Sequence, residues 1–153
     1  MILRGLVIVL SLAGLADALY FTFAYYGRVK RARWVPEVLC AREGSSCLTV
    51  VQTPYGSVFG LPNSLLGTVY YALLIAWAVG GQSLALEFRL GMRSYLITFG
   101  GLLLAASAVT VALGFYLIYA LRRILHKGCP LCYAAHAINL GLLVLFIIAR
   151  YNY

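Results

Sequence analysis

Four stretches of this chain, residues 5–26, 62–80, 95–121 and 131–149, are long runs of apolar residues with few charges. Crossing the hydrocarbon of a bilayer takes roughly 20 such residues in a helix. No other feature constrains the fold as strongly. Lipid offers no partner to a bare backbone N–H or C=O, so segments of this kind close their hydrogen bonds within themselves as helices. The predicted fold is an all-α integral membrane protein, a four-transmembrane-helix bundle in a single domain spanning residues 1–153. The connectors are too short for a further globular domain. The longest, at about 28–61, holds Cys40 and Cys47 between helices 1 and 2. Only 10% of the residues are charged, against about 25% in a soluble domain.

The first stretch has a second interpretation. "LVIVLSLAGLADA" after Arg4 resembles a signal peptide, with Ala16-Asp17-Ala18 as the cleavage site. The apolar run continues through "LYFTFAYY", beyond the length of a signal core, so a retained helix is expected.

Twelve Lys and Arg stand against four Asp and Glu, a net charge of +8. On a soluble chain that excess would point to nucleic acid. Here the basic residues fall mainly between the apolar runs, where anionic headgroups and topology account for them, and no nucleic-acid partner is expected.

With four crossings, the first and third connectors emerge on the same side of the membrane. The first carries Cys40 and Cys47; the third leads directly into Cys129 and Cys132. All four cysteines therefore share one membrane face. Three chemistries are open to them: a structural zinc site, two reversible disulfide pairs, or inert buried thiols. Zinc knuckles space their cysteines as Cys-x₂₋₄-Cys; Cys129 and Cys132 comply, but six residues separate Cys40 from Cys47. A non-catalytic zinc-stapled module that binds a partner protein is thus the weaker alternative.

The stretch "KGCPLCYAAH" favours electron transfer. Gly128 breaks the chain, Pro130 suits a first helical turn, and an apolar run follows. Both sulfurs then lie at a helix N-terminus, where unpaired N–H groups and the helix dipole favour an anion. The thiolate is the form that attacks a disulfide. Lys127, Arg122 and Arg123 add positive charge on that side.

Cys40…Cys47, "TPYGSVFGLPNSLLG" at residues 53–67 and "CPLC" resemble the vitamin K epoxide reductase family of membrane thiol oxidoreductases. The order of parts matches over essentially the whole chain, a loop pair after the first helix and a Cys-x-x-Cys opening the fourth. Other quinone-linked disulfide oxidases of bacterial membranes carry the Cys-x-x-Cys in their first loop. The resemblance implies a prokaryotic-type, disulfide-generating enzyme. A separate reduced thioredoxin-like partner attacks the Cys40–Cys47 disulfide at Cys47, Cys40 attacks Cys129, and Cys132 reduces a lipid quinone of ubiquinone or menaquinone type. Catalytic roles are implied for Cys40, Cys47, Cys129 and Cys132, a supporting role for Thr53, and quinone contacts for Asn63 and His136; no metal is implied. His136 stands where vertebrate members have a Tyr, which favours ordinary quinone reduction over epoxide chemistry.

Residue spacing adds its own constraints. Cys132 and His136 are four apart and share a helix face. His136 is suited to donate to a developing quinol oxygen, or to bond a neighbouring helix as a core residue. Asn63 also suits a helix cap, and Thr53 a turn around Pro54. Tyr20, Phe21, Phe23, Tyr25 and Tyr26 read as an interfacial aromatic belt. Asp17 is an acid inside an apolar span, by default a functional feature; a cross-helix bond to Ser107 or Thr110 is the expected way to satisfy it.

Positive residues gather on the cytoplasmic side of membrane proteins. The cysteine side has Arg28, Lys30, Arg31, Arg33, Arg42, Arg122, Arg123 and Lys127; the other side has Arg4, Arg89, Arg93 and Arg150. The cysteines are expected to face the cytoplasm, with an outward-facing site as the alternative, since disulfides accumulate in oxidising compartments.

Overall fold

A computed structural model describes residues 2–28, 50, 52–58, 60–80, 85–90, 93–126 and 128–151. Cys40 and Cys47, with most of the first connector, lie outside the described residues, as does Lys127.

The helices are α1 (Ile2–Tyr25), α2 (Asn63–Gly80), α3 (Phe99–Tyr119) and α4 (Pro130–Tyr151). Each is long and apolar enough to cross a membrane, with mean hydropathy of 2.0, 1.3, 2.1 and 2.2 in chain order. The protein is a multi-pass membrane protein. Apolar residues surround each helix, as expected of an element that meets protein on one side and lipid on the other. Leu12, Val69, Leu102, Val109, Phe115 and Val144 point outward.

Where α1 begins, α2 ends, and Arg4 joins the two. Its guanidinium donates to the carbonyl oxygens of Ala78, and of Val79 at 2.6 Å. The last turn of α2 contains no basic residue of its own, so α1 supplies the positive charge that its C-terminal carbonyls favour.

The third span differs from the expected 95–121 at both ends. Residues 85–90 and 93–98 form an antiparallel pair, β3 (Ala85–Leu90) with β4 (Arg93–Thr98), in which Phe88 opposes Tyr95. The cause is visible in "LEFRL", whose apolar and charged residues alternate with the period of a strand. At the other end the helix runs on through a π-turn, Ala120–Ile124, closed by Leu125 N–H donating to the Ala120 carbonyl at 2.9 Å. Upstream of α2, a 3₁₀ turn (Pro54–Gly56) leads into a short pair, β1 (Ser57–Val58) and β2 (Leu61–Pro62). Pro62 lies just before α2 rather than inside its first turn.

Helix α1 packs against α2 and α4, and α3 packs against α4. Small residues allow these approaches, as is usual in membranes. A Cβ on Gly14 would run into the Tyr71 ring, and one on Gly67 would lie 3.5 Å from the Ala18 Cβ. Helices α2 and α3 meet through side chains. The Tyr70 hydroxyl and Ser107 Oγ are 2.7 Å apart, and Trp77 lies over Gly100. The main core is built on Val7, Ala18, Tyr71, Leu74, Ala78, Leu103, Leu142 and Phe146. A smaller one, at the cysteine end, joins Phe21, Val50, Leu121 and Cys129.

Candidate active site

Cys129 caps α4. Its carbonyl accepts from the Tyr133 N–H at 3.1 Å, and its sulfur accepts from the Cys132 N–H at 3.3 Å. Pro130 takes the first helical position, where a missing N–H costs nothing. This side-chain capping is what an N-terminal cap residue does with oxygen, done here with sulfur. The cap closes the Cys-x-x-Cys into a disulfide, Cys129–Cys132, with Cα atoms 5.2 Å apart. Arg122, from the π-turn, lies 5.4 Å from the centre of the Tyr133 ring and ties the third connector to α4.

The two sulfurs have different surroundings. Cys129 is fully buried against Phe21, Val50 and Leu121 and does not itself line the central cavity, although those three residues do. Cys132 lines that cavity, a space of about 680 Å³ bordered by all four helices and the segment that carries Pro54, Tyr55 and Gly56. Along α4, Cys132, His136 and Asn139 follow one another on the cavity wall, as positions four and seven apart on a helix must.

His136 packs its Nδ1 edge on Gly114 of α3: a Cβ there would lie 2.8 Å from Nδ1 and 3.3 Å from Cγ. Nδ1 has no hydrogen-bond partner among the described residues, so the expected alternative of a core histidine bonded to a neighbouring helix is not what that nitrogen does. Below it, Asn139 accepts from the Tyr71 hydroxyl at 2.7 Å, a buried bond joining α4 to α2. This bond forms the deep end of the cavity.

Asn63 also lines the cavity, and its Nδ2 donates to the Tyr55 carbonyl at 2.9 Å. It holds the Pro54–Gly56 turn against the start of α2 and keeps a second amide hydrogen and its carbonyl oxygen for other partners. Thr53 stands outside the cavity. Its Oγ1 donates to the Val50 carbonyl at 2.7 Å, and its carbonyl accepts from the Gly56 N–H at 2.9 Å. Thr53 therefore fastens the segment that presses Val50 onto Cys129.

Two expectations need correction. Asp17 does not bond to Ser107 or Thr110: Ser107 bonds Tyr70 and the Leu103 carbonyl, Thr110 bonds the Ala106 carbonyl, and Asp17 Oδ1 has no partner among the described residues. Both hydroxyls satisfy themselves on their own helix. Phe21 is not part of an aromatic belt. It is buried on Cys129, whereas Phe23 and Tyr26 are exposed; successive helical residues turn by about 100°, so one run serves both faces.

Tyr71, Asn139 and Ser64 line the cavity, and Gly114 backs the His136 ring, without having been singled out from the sequence. Asn139 was within reach of that reading, seven residues after Cys132 in a helix that opens on a cysteine pair. Tyr71 and Gly114 were not, because their importance lies in the helices facing them.

A bundle of four apolar helices that shows one sulfur of a Cys-x-x-Cys pair to a largely apolar cavity has the frame of a membrane oxidoreductase. Comparison with known proteins agrees. The vitamin K epoxide reductase family profile matches residues 5–147. Vitamin K epoxide reductase complex subunit 1 of Mus musculus is 32% identical over 144 residues, covering 92% of this chain and 87% of that protein. The chain belongs to the vitamin K epoxide reductase family, a family of membrane oxidoreductases.

Proposed function

We propose that the protein generates disulfides, passing electrons from a separate thioredoxin-like partner to a lipid quinone. The observation that carries this reading is the division between the sulfurs: Cys132 lines the cavity, whereas Cys129 does not and packs against Val50, at the end of the first connector.

In the proposed path a partner thiolate attacks Cys47 of a Cys40–Cys47 disulfide, and Cys40 leaves as a thiolate. Cys40 then attacks Cys129; a Cys40–Cys129 bond forms as the Cys129–Cys132 bond breaks. Cys132 is released as a thiolate on the cavity wall. The partner's second thiol attacks the partner–Cys47 bond, and the partner leaves with its own disulfide. The freed Cys47 thiolate then attacks Cys40, restoring Cys40–Cys47 and leaving Cys129 and Cys132 as a dithiol. The quinone accepts two electrons and two protons, and that dithiol returns to the disulfide. His136, next to Cys132 on the same face, holds or donates a proton at the quinone oxygen. Asn63 offers its second amide hydrogen to the ring. The fit of a quinone rests on an apolar space with a few unpartnered polar atoms on its walls.

The zinc-stapled alternative needs four thiolates. Two of them are bonded to each other here, and stoichiometric zinc in purified protein would revive that alternative. On the charge count, the cysteine side is proposed to face the cytoplasm. A reporter that is active only outside the cytoplasm, fused after Tyr153, is then active; an inactive one reverses the assignment.

The direct test is anaerobic mixing of fully reduced protein with a short-chain quinone while thiols are counted. Two thiols are lost per quinol formed. In this test Cys132→Ala forms no quinol and keeps its thiols; isolated without prior reduction, it holds a Cys40–Cys129 or Cys40–Cys47 bond. Unchanged turnover in that variant would refute the path.

A further inference from the structure

The polar side chains lining the cavity fall into two groups. Tyr70, Tyr71, Asn139, Thr110 and Asn63 all have hydrogen-bond partners within the protein. Asp17 Oδ1, Ser64 Oγ and His136 Nδ1 are buried and have none among the described residues. A buried polar atom without a partner is expensive, and in a membrane it marks a functional position.

Asp17 stands at a depth between those of Cys132 and His136. On α1, Asp17 is one turn deeper than Phe21, which packs at the level of Cys129. On α4, His136 is one turn deeper than Cys132. Four residues of either helix rise about 6 Å, and the three from Cys129 to Cys132 about 4.5 Å. Deeper still on α1 is Gly14, against the ring of Tyr71, whose hydroxyl is bonded to Asn139. A planar ring resting on that deep end, with one edge at Cys132 and His136, therefore has Asp17 as its neighbour on the α1 wall. Ser64 lies on α2 beside Gly67, whose backbone approaches Ala18, the residue after Asp17.

We propose that Asp17 is a substrate-contacting residue. In its acid form its carboxyl donates a hydrogen bond to one carbonyl oxygen of a para-quinone whose other carbonyl is at the Cys132–His136 edge, and Ser64 Oγ is a second donor on that wall. The proposal rests on the quinone-reducing reading above and adds a ligand contact to it. The contact binds and orients the ring, and no proton need leave Asp17.

Infrared difference spectroscopy of the wild-type protein on adding a short-chain benzoquinone tests this directly. Asp17 is the only Asp or Glu inside an expected span, the others being Glu37, Glu43 and Glu87. Its carboxylic C=O band shifts on quinone addition, and the band is missing from Asp17→Asn. In steady state, Asp17→Leu raises the quinone KM about tenfold, the cost of one lost buried hydrogen bond. Asp17→Asn, which keeps a donor, stays near wild type. Reduction of Cys40–Cys47 by dithiothreitol is unchanged in both variants. Wild-type protein that reduces quinone with no shift of the carboxylic band, or Asp17→Leu with an unchanged KM, overturns the proposal and leaves the reading above intact. Wild-type protein that never reduces quinone overturns both.

Discussion

Gly114→Ala tests whether the placement of the His136 ring matters. The new Cβ would lie 2.8 Å from Nδ1, 3.3 Å from Cγ and 3.4 Å from Cε1. Comfortable contact begins near 3.5 Å, so the ring must retreat by about 0.7 Å. Overpacking of this kind costs about 1–3 kcal/mol. Replacing a helical glycine by alanine returns up to about 1 kcal/mol. The net loss of stability is therefore small, about 0–2 kcal/mol. The effect on chemistry is larger, since displacing a reacting group by about 1 Å can cost on the order of a hundredfold. We expect single-turnover quinone reduction by the prereduced protein, followed by stopped-flow absorbance, to slow about tenfold or more. The double variant Gly114→Ala/His136→Ala should be no slower than His136→Ala alone, because the clashing ring is gone. If Gly114→Ala keeps its rate within about twofold of wild type, or slows the His136→Ala background as much as the native one, the ring's placement is not what Gly114 protects.

Three further outcomes are expected. Tyr71→Phe leaves the buried Asn139 oxygen without its donor, costing about 1–3 kcal/mol, and lowers the melting temperature in detergent by several degrees. Thr53→Val removes the bond to the Val50 carbonyl and loosens the cover over Cys129; alkylation of that thiol in reduced protein should speed up while the quinone KM stays constant. Arg4→Leu strips the cap from α2, costing about 1 kcal/mol, and should appear as faster amide exchange confined to the last turn of α2 and the start of α1.

The number of helices and their approximate limits were legible because they depend on quantities that add along a chain: apolar length and the Gly128–Pro130 break before "LCYAAH". The same counting misjudged the start of the third span, where a period-two alternation preceded the helix and an apolar total could not separate them. Cys132 and His136 were paired correctly on one face because four residues on a helix make a turn whatever the surroundings. Which sulfur meets the cavity, why Asp17 is left without Ser107 or Thr110, and why Gly114 has no side chain all depend on which helix stands opposite. That is a relation between segments distant in the chain, set by the packing of side-chain volumes in three dimensions, and it was decided only when α1, α2 and α3 closed around α4.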